Sequence, residues 1–176
     1  MEKARPVSLK EIRIRDNFWD KYRRLVREEI LKYQWCAMND QIEGAPKSHC
    51  IENFRIAAGE KQGEFYGAVF QDSDVAKWLE AVAYTLAEKP DKELKKLADS
   101  VIELIGRAQE PDGYFNTYFI LKEPGQRFRN LREGHELYTL GHMIEAAVAY
   151  KRATGEKRFL ELNGKDRPME GIGAYI

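Results

Sequence analysis

Two of the three histidines of this 176-residue chain lie in one short stretch, Glu133-Gly134-His135-Glu136-Leu137-Tyr138-Thr139-Leu140-Gly141-His142. A helical residue advances about 100° around the axis. If the helix includes His135, then His135, Tyr138 and His142 (i, i+3, i+7) fall within roughly 60° of one another. Leu137, Leu140, Ile144 and Val148 collect on the opposite side, and Ala146 and Ala149 are small neighbours of the polar face. Such a helix gives one face to a core and lines a polar cavity with the other. A neutral imidazole offers one donor and one acceptor, so the pair suits a ligand rich in hydroxyls. A shared metal does not suit it: i and i+7 stand about 10 Å apart along the axis, whereas ligands of one zinc each lie about 2 Å from the ion. The other reading is that the histidines are surface or core residues that share a face by chance, since function requires a site and not a pattern alone.

The elements that position this face are helical. Asp16 or Asn17 offers an N-cap to a helix carrying Phe18, Tyr22, Leu25, Val26, Ile30 and Tyr33 at spacings of three and four, ending between Tyr33 and Met38. A second begins at Asp72 to Val75 and carries Trp78, Leu79, Val82 and Leu86. Pro90-Asp91 breaks it and caps a third through Leu94, Leu97, Val101, Ile105 and Ala108. A turn at Gln109 to Gly113 precedes Tyr114 to Phe119, read as a loop or short strand. The fourth helix carries His135 and ends at Gly155. Asn39 to Phe70, with Gly44, Pro46, Gly59, Gly63 and Gly67 and no sustained helical period, reads as an ordered, loop-rich segment on the pocket side. The expected class is all-α, with paired helices in a toroid and long loops on the rim of a pocket.

Composition narrows the function classes. Charged residues make up 33% of the chain and balance to a net charge of +0, with 43% hydrophobic residues. No basic stripe interleaved with aromatics marks a nucleic-acid surface. No apolar run approaches the roughly 18 residues of a membrane span, and Met1 to Pro6 lacks the apolar stretch of a signal peptide. Cys36 and Cys50 are too few for a disulfide framework or a zinc motif and read as small apolar residues in a reducing compartment. The expectation is a cytoplasmic, soluble protein with no nucleic-acid or membrane partner.

Several separated motifs then agree in order: Tyr33-Gln34-Trp35, Asn53 to Gly59 (NFRIAAG), Asp74 to Ala83 (DVAKWLEAVA), Gln109 to Phe119 (QEPDGYFNTYF) and His135 to Tyr150. Together, over about Pro6 to Leu160, the chain resembles the N-terminal part of glycoside hydrolase family 127, the β-L-arabinofuranosidase-like enzymes. The resemblance implies part of an (α/α)6 barrel. It also implies a chemistry that removes terminal β-linked L-arabinofuranose with retention, using a zinc-held cysteine nucleophile and a glutamate acid/base. Zinc fits that chemistry because it deprotonates a coordinated thiol, and the thiolate replaces the second carboxylate of the usual retaining pair.

In the family those catalytic residues lie beyond the matched region, and neither Cys36 nor Cys50 corresponds to the cluster. No catalytic residue, metal ligand or cofactor is therefore assigned to this chain, and zinc is expected only in full-length relatives. The resemblance carries over Gln34 and His135 as substrate-binding residues, and helical geometry adds Tyr138 and His142. The amide of Gln34 offers two donors and two acceptor lone pairs to vicinal hydroxyls, with Tyr33 and Trp35 as walls; as an alternative, Gln34 caps the first helix and Trp35 is core. Asp112 and Gly113 read as turn residues, Asn116 as either a pocket or a loop residue, and Glu133 and Glu136 as solvated or orienting side chains.

The segment Asn163 to Gly173 has glycines, a proline and no apolar period where another barrel helix is expected. The domain reading is a barrel portion over residues 1–160 and a divergent tail over 161–176. The chain alone is expected to be inactive, whether as a truncated relative, a helical protein-interaction module or a nonfunctional gene fragment. Apolar helix faces left without neighbours would favour self-association; a small carbohydrate is the expected ligand.

Overall fold

The computed structural model describes residues 7–162, and every regular element among them is a helix. Asp16 caps α1 (Asn17–Leu25), its Oδ1 accepting from the backbone N–H groups of Phe18 and Trp19 at 2.8 and 2.9 Å. One turn of π-helix (Val26–Ile30) joins α1 without a break to α2 (Leu31–Met38). The rod thus ends where the periodicity puts its end, but its apolar stripe divides. Leu31 and Met38 are buried, whereas α1 buries no residue at all.

The loop-rich segment contains a helix that its sequence does not announce, α3 (Cys50–Ala57). Asp40 closes the loop before it by accepting from Ser48 N and His49 N at 2.7 and 3.0 Å. Asn53, fully buried, closes the loop after it: its Nδ2 donates to Tyr66 O at 2.8 Å and its Oδ1 accepts from Tyr66 N at 3.2 Å. A helix of eight residues that gives buried positions to Asn53 and Cys50 carries too little apolar period to be seen against its glycine-rich flanks.

α4 (Asp72–Glu88) and α7 (Glu136–Thr154) form the central pair. They run parallel: the Phe70 and His135 rings meet at 5.3 Å where both begin, and Tyr84 further along α4 lies in the field of Glu145 and Arg152 further along α7. α2 runs antiparallel to α4. Trp78 Nε1 donates to Leu31 O at 3.0 Å, and Arg23 pairs with Glu88 at the far end. α5 (Lys92–Ala108) returns antiparallel to α4 after the Pro90-Asp91 break, capped by Asp91 as expected. Parallel inner helices with an antiparallel outer helix between them make a sector of an (α/α)6 toroid.

The connection from α5 to α7 departs from the expected loop or strand. Asn116 Oδ1 accepts from Phe119 N at 3.4 Å and starts the short helix α6 (Thr117–Leu121). Gly155, at φ +86°, ends α7, and α8 (Arg158–Leu162) folds back on α5, where Gln109 Nε2 donates to Leu162 O at 2.7 Å. Most of the segment read as a divergent tail, residues 163–176, lies outside the described residues.

The buried face of α7 is not the leucine stripe. Thr139, Met143, Ala146, Ala147, Tyr150 and Ala153 face the core, while Leu137 is 45% exposed and Leu140, Ile144 and Val148 are only partly covered. Close approach of α4 selects small residues at the contact, because the spacing between packed helices follows the side chains between them. Periodicity of large apolar residues therefore pointed to the wrong side. No described helix is long and apolar enough to cross a membrane.

Candidate functional site

The C-terminal end of α2 and the N-terminal ends of α3, α4 and α7 meet at one end of the molecule. Between α2, α3 and α4 lies an open cleft of about 320 Å³. Gln34, Ser48, Asp74 and Lys77 supply its polar groups, with Trp78 and Cys50 among its apolar lining. Gln34 is exposed on α2 and makes no capping bond; its backbone sits mid-helix. Its neighbours divide as the sequence left open. Trp35 packs on Trp78 with ring centroids 5.1 Å apart, so it belongs to the core, and Tyr33 is 58% exposed.

The histidine face exists as a row of rings rather than as one helical stripe. His135 is not in the helix: it is the residue before α7, at φ +50°. It still stacks edge-on to Tyr138 at 5.8 Å, and Tyr138 to His142 at 4.6 Å. Phe70, from the loop before α4, extends the row beyond His135. The left-handed turn at His135 thus aims its ring along the row instead of away from it. His142 Nδ1 lies 3.2 Å from Glu145 Oε2 but out of hydrogen-bond alignment, so this buried nitrogen has no hydrogen-bond partner.

Lys77 connects the cleft to the row. Its Nζ donates to Ser73 Oγ at 2.9 Å and to Asp74 Oδ1 at 3.4 Å, and lies 5.2 Å from the centre of the Tyr138 ring. Desolvation opposes its charged form, but Tyr138 and Asp74 together outweigh it, so its pKa lies above the ordinary lysine value. Gln34 therefore faces the cleft, Tyr138 reaches it through Lys77, and His135 and His142 flank Tyr138. Spacing within one helix exposed the ring row. Lys77 and Asp74 escaped notice because their part depends on which helix stands opposite α4.

Two buried carboxylates brace the site from behind. Asp72, at the start of α4, accepts from Thr117 N and Thr117 Oγ1, both at 2.6 Å, and burial pushes its carboxyl up to about 7. Glu136 accepts from Tyr114 Oη at 2.5 Å and from Phe128 N at 2.8 Å. It is an orienting residue that pins the long loop to the start of α7; burial and this carboxylate raise the Tyr114 phenol. Asp112 serves its turn, accepting from Tyr114 N at 3.0 Å. Asn116 is buried as a cap rather than set in the cleft, and its Nδ2 has no partner.

The donor set does not suit a metal. Among the described residues no three His, Cys, Asp or Glu side chains come together at a point that could hold an ion. Cys50 is fully buried, and burial pushes its thiol up to about 11 against the opposing hydrogen bond from Gln71 Nε2 at 3.0 Å. A thiol that high supplies almost no thiolate at neutral pH. The zinc–thiolate centre implied by the resemblance is therefore not assembled from these residues.

A helical toroid sector whose loops gather polar groups around one cleft defines the fold class. The comparisons give the family. The sequence model described as the catalytic domain of GH127 β-L-arabinofuranosidase matches residues 11–165, and the chain belongs to that family. It is 44% identical over 170 residues to a non-reducing end β-L-arabinofuranosidase of Bifidobacterium longum, covering 88% of this chain and 26% of that protein. Among solved structures, a GH127 β-L-arabinofuranosidase of Geobacillus stearothermophilus T6 superposes with a TM-score of 0.85 at 66% identity, over 87% of this chain and 24% of its own. A further GH127 β-arabinofuranosidase superposes at 0.78 with 34% identity, over 90% of this chain and 25% of its own. The chain spans about a quarter of the length of these relatives.

Proposed function

We propose that this chain carries part of the sugar-recognition surface of a β-L-arabinofuranosidase, with Gln34, His135, Tyr138 and His142 as the binding residues, and that by itself it binds without turnover. The observation that carries the reading is the junction at Lys77, which sets the Gln34 cleft beside the ring row. Furanose hydroxyls match the amide and imidazole groups, and the face of an aromatic ring offers the apolar face of a sugar a flat partner. Retaining hydrolysis needs an acid/base and a nucleophile on opposite sides of the sugar. The carboxylates at the cleft are engaged instead: Asp74 holds Lys77, while Asp72 and Glu136 are buried in loop contacts. Positioning supplies only part of a barrier reduction, and loss of one catalytic member removes several powers of ten in rate. A cytoplasmic location accords with two free cysteines.

The test is titration calorimetry of the full chain with L-arabinose and a methyl β-L-arabinofuranoside. Binding that weakens by about tenfold or more in Gln34→Ala and His135→Ala supports the reading; no heat from a folded wild type overturns it. Release of p-nitrophenol from the corresponding aryl glycoside, lost in His135→Ala and unaffected by added zinc, would show that a catalytic group is present after all. A second reading, a helical module that associates with another protein, is favoured by the exposed apolar residues of α1.

A further inference from the structure

The His135 side chain makes ring contacts but no hydrogen bond among the described residues. Both ring nitrogens are therefore left for a ligand, and the backbone decides where they point. That backbone is fixed on both sides. Before it, Gly134 is buried against the loop, where a Cβ would stand 2.7 Å from Asn130 O and 3.1 Å from Phe119 Cζ. After it, Glu136 is buried, with its two oxygens taken up by Tyr114 Oη at 2.5 Å and Phe128 N at 2.8 Å. The Tyr114 ring is fixed in turn. The Arg127 guanidinium lies over its face, 4.0 Å from the centre, and Phe128 meets it edge-on at 5.7 Å. Arg127 is itself tied to Glu110 and Asp112 in the turn after α5. The end of α5 thus reaches the ring row through one phenol and one carboxylate.

We infer that Tyr114 is a positioning residue of the sugar site, its hydroxyl aiming the His135 ring by holding Glu136; this rests on the reading of His135 as a sugar contact. His135 stands at φ +50°, a left-handed conformation that costs energy for any residue with a side chain. It therefore needs an anchor on the helix side, and Glu136 is that anchor. Without the Tyr114 hydroxyl, Glu136 Oε1 becomes a buried acceptor with no donor, which costs the desolvation of that group. The carboxylate then turns toward water, and the first turn of α7 and the His135 ring move with it. Glu136→Gln is the conservative case. Its Oε1 still accepts from Phe128 N, and its Nε2 donates to the Tyr114 oxygen.

The test measures the ring and the sugar separately, on the full chain. Proton NMR reads cross-relaxation between the His135 ring and those of Phe70 and Tyr138, whose centres lie 5.3 and 5.8 Å away. These contacts should be lost in Tyr114→Phe and Glu136→Ala and kept in Glu136→Gln. In titration calorimetry with methyl β-L-arabinofuranoside, Tyr114→Phe should bind about fivefold more weakly than wild type. In a His135→Ala background the same substitution should change affinity no further, because the two act on one contact. A phenol with only a structural role would lower the melting temperature, leave the ring contacts in place and add its effect to that of His135→Ala. Tyr114→Phe and Glu136→Gln remove little volume, so the test stands even if Glu136→Ala fails to fold. Ring contacts that persist in Tyr114→Phe overturn the proposal, as do additive losses in the double variant. A wild type that binds no sugar overturns the reading of His135 as a contact instead, while the ring contacts still decide whether Tyr114 aims it.

Discussion

α1 and α7 teach opposite lessons about what an amphipathic pattern means. In α1 the aromatic and charged residues separate cleanly around the helix, yet no residue is buried. In α7 threonine, alanine and tyrosine mix with leucine and charge, and yet Met143, Ala146 and Thr139 are fully buried. The difference lies in the neighbours. α7 lies along α4 and both ends of the contact are fixed, by the ring row at its start and by packing through Tyr150, whose hydroxyl donates to Asp99 of α5 at 2.6 Å. α1 is held to the body by the Arg23–Glu88 pair. Segregation of a helix shows that it needs a partner, whereas burial shows that it has one.

The largest effect that could break this contrast is a pair of truncations. Leu79, on α4, is fully buried; Leu79→Ala should destabilise the protein by about 2–5 kcal/mol through lost transfer energy and the cavity left behind. Phe18→Ala, which removes a larger side chain, should stay within about 0.5 kcal/mol. Urea unfolding at low micromolar protein measures both. A Phe18→Ala cost above about 1 kcal/mol would mean that α1 packs on the body in solution.

The same contrast explains what could be read in advance. α4 and α5 were legible because long runs of Val, Leu and Ile repeat at helical spacing and a Pro-Asp break sits between them. The Gly155 stop and the Asp16 and Asp91 caps were legible because each rests on chemistry local to a few residues. α3 was not, since it starts from a left-handed His49 and depends on Asn53 reaching loop backbone 13 residues away. The core face of α7 was not, since its small residues are chosen by the closeness of α4 and carry no periodic signal of their own. At the site, the ring row could be inferred from spacing even though His135 lies outside the helix. Lys77 could not, because its significance arises between helices, and Asp72 could not, because its partner is Thr117, 45 positions on.

Asp72 gives the next effect in size. Burial raises its carboxyl from an ordinary 3.8 to about 7, against the opposing hydrogen bonds from Thr117. Between those values the folded chain holds a proton that the unfolded chain has lost. This group's contribution is therefore fully present below about pH 4 and is lost as pH rises through 7. Every tenfold difference in proton affinity between the folded and unfolded chain corresponds to about 1.4 kcal/mol. Other carboxylates contribute to the whole profile, so the measurement is the difference between wild type and Asp72→Asn. The asparagine keeps the shape; its Oδ1 accepts from Thr117 N and its Nδ2 donates to a turned Thr117 hydroxyl. The variant should gain on the wild type by a few kcal/mol between about pH 4.5 and 8. A difference that stays flat, or moves the other way, would mean that Thr117 holds Asp72 ionised throughout and that the brace behind the site is a charged one.

The smallest effect is the most discriminating, because it compares two caps of nearly identical geometry. Asp91 Oδ1 accepts from Glu93 N and Leu94 N, both at 3.0 Å, and Asp16 Oδ1 accepts from Phe18 N and Trp19 N at 2.8 and 2.9 Å. Each satisfies two of the donors that a helix start leaves unpaired, and replacing such a residue by alanine costs about 1 kcal/mol of helix stability. The global cost depends on whether the helix is part of the cooperative unit. α5 buries Ala98, Val101, Ile102 and Ile105, so fraying its start loosens the core and Asp91→Ala should lower the unfolding free energy by about 1 kcal/mol. α1 buries nothing, so Asp16→Ala should raise local fraying, seen as faster amide exchange at Phe18 and Trp19, while the global value stays within about 0.3 kcal/mol. Equal global costs in the monomer would mean that α1 is already part of that unit and that its exposed aromatic face is held by the body.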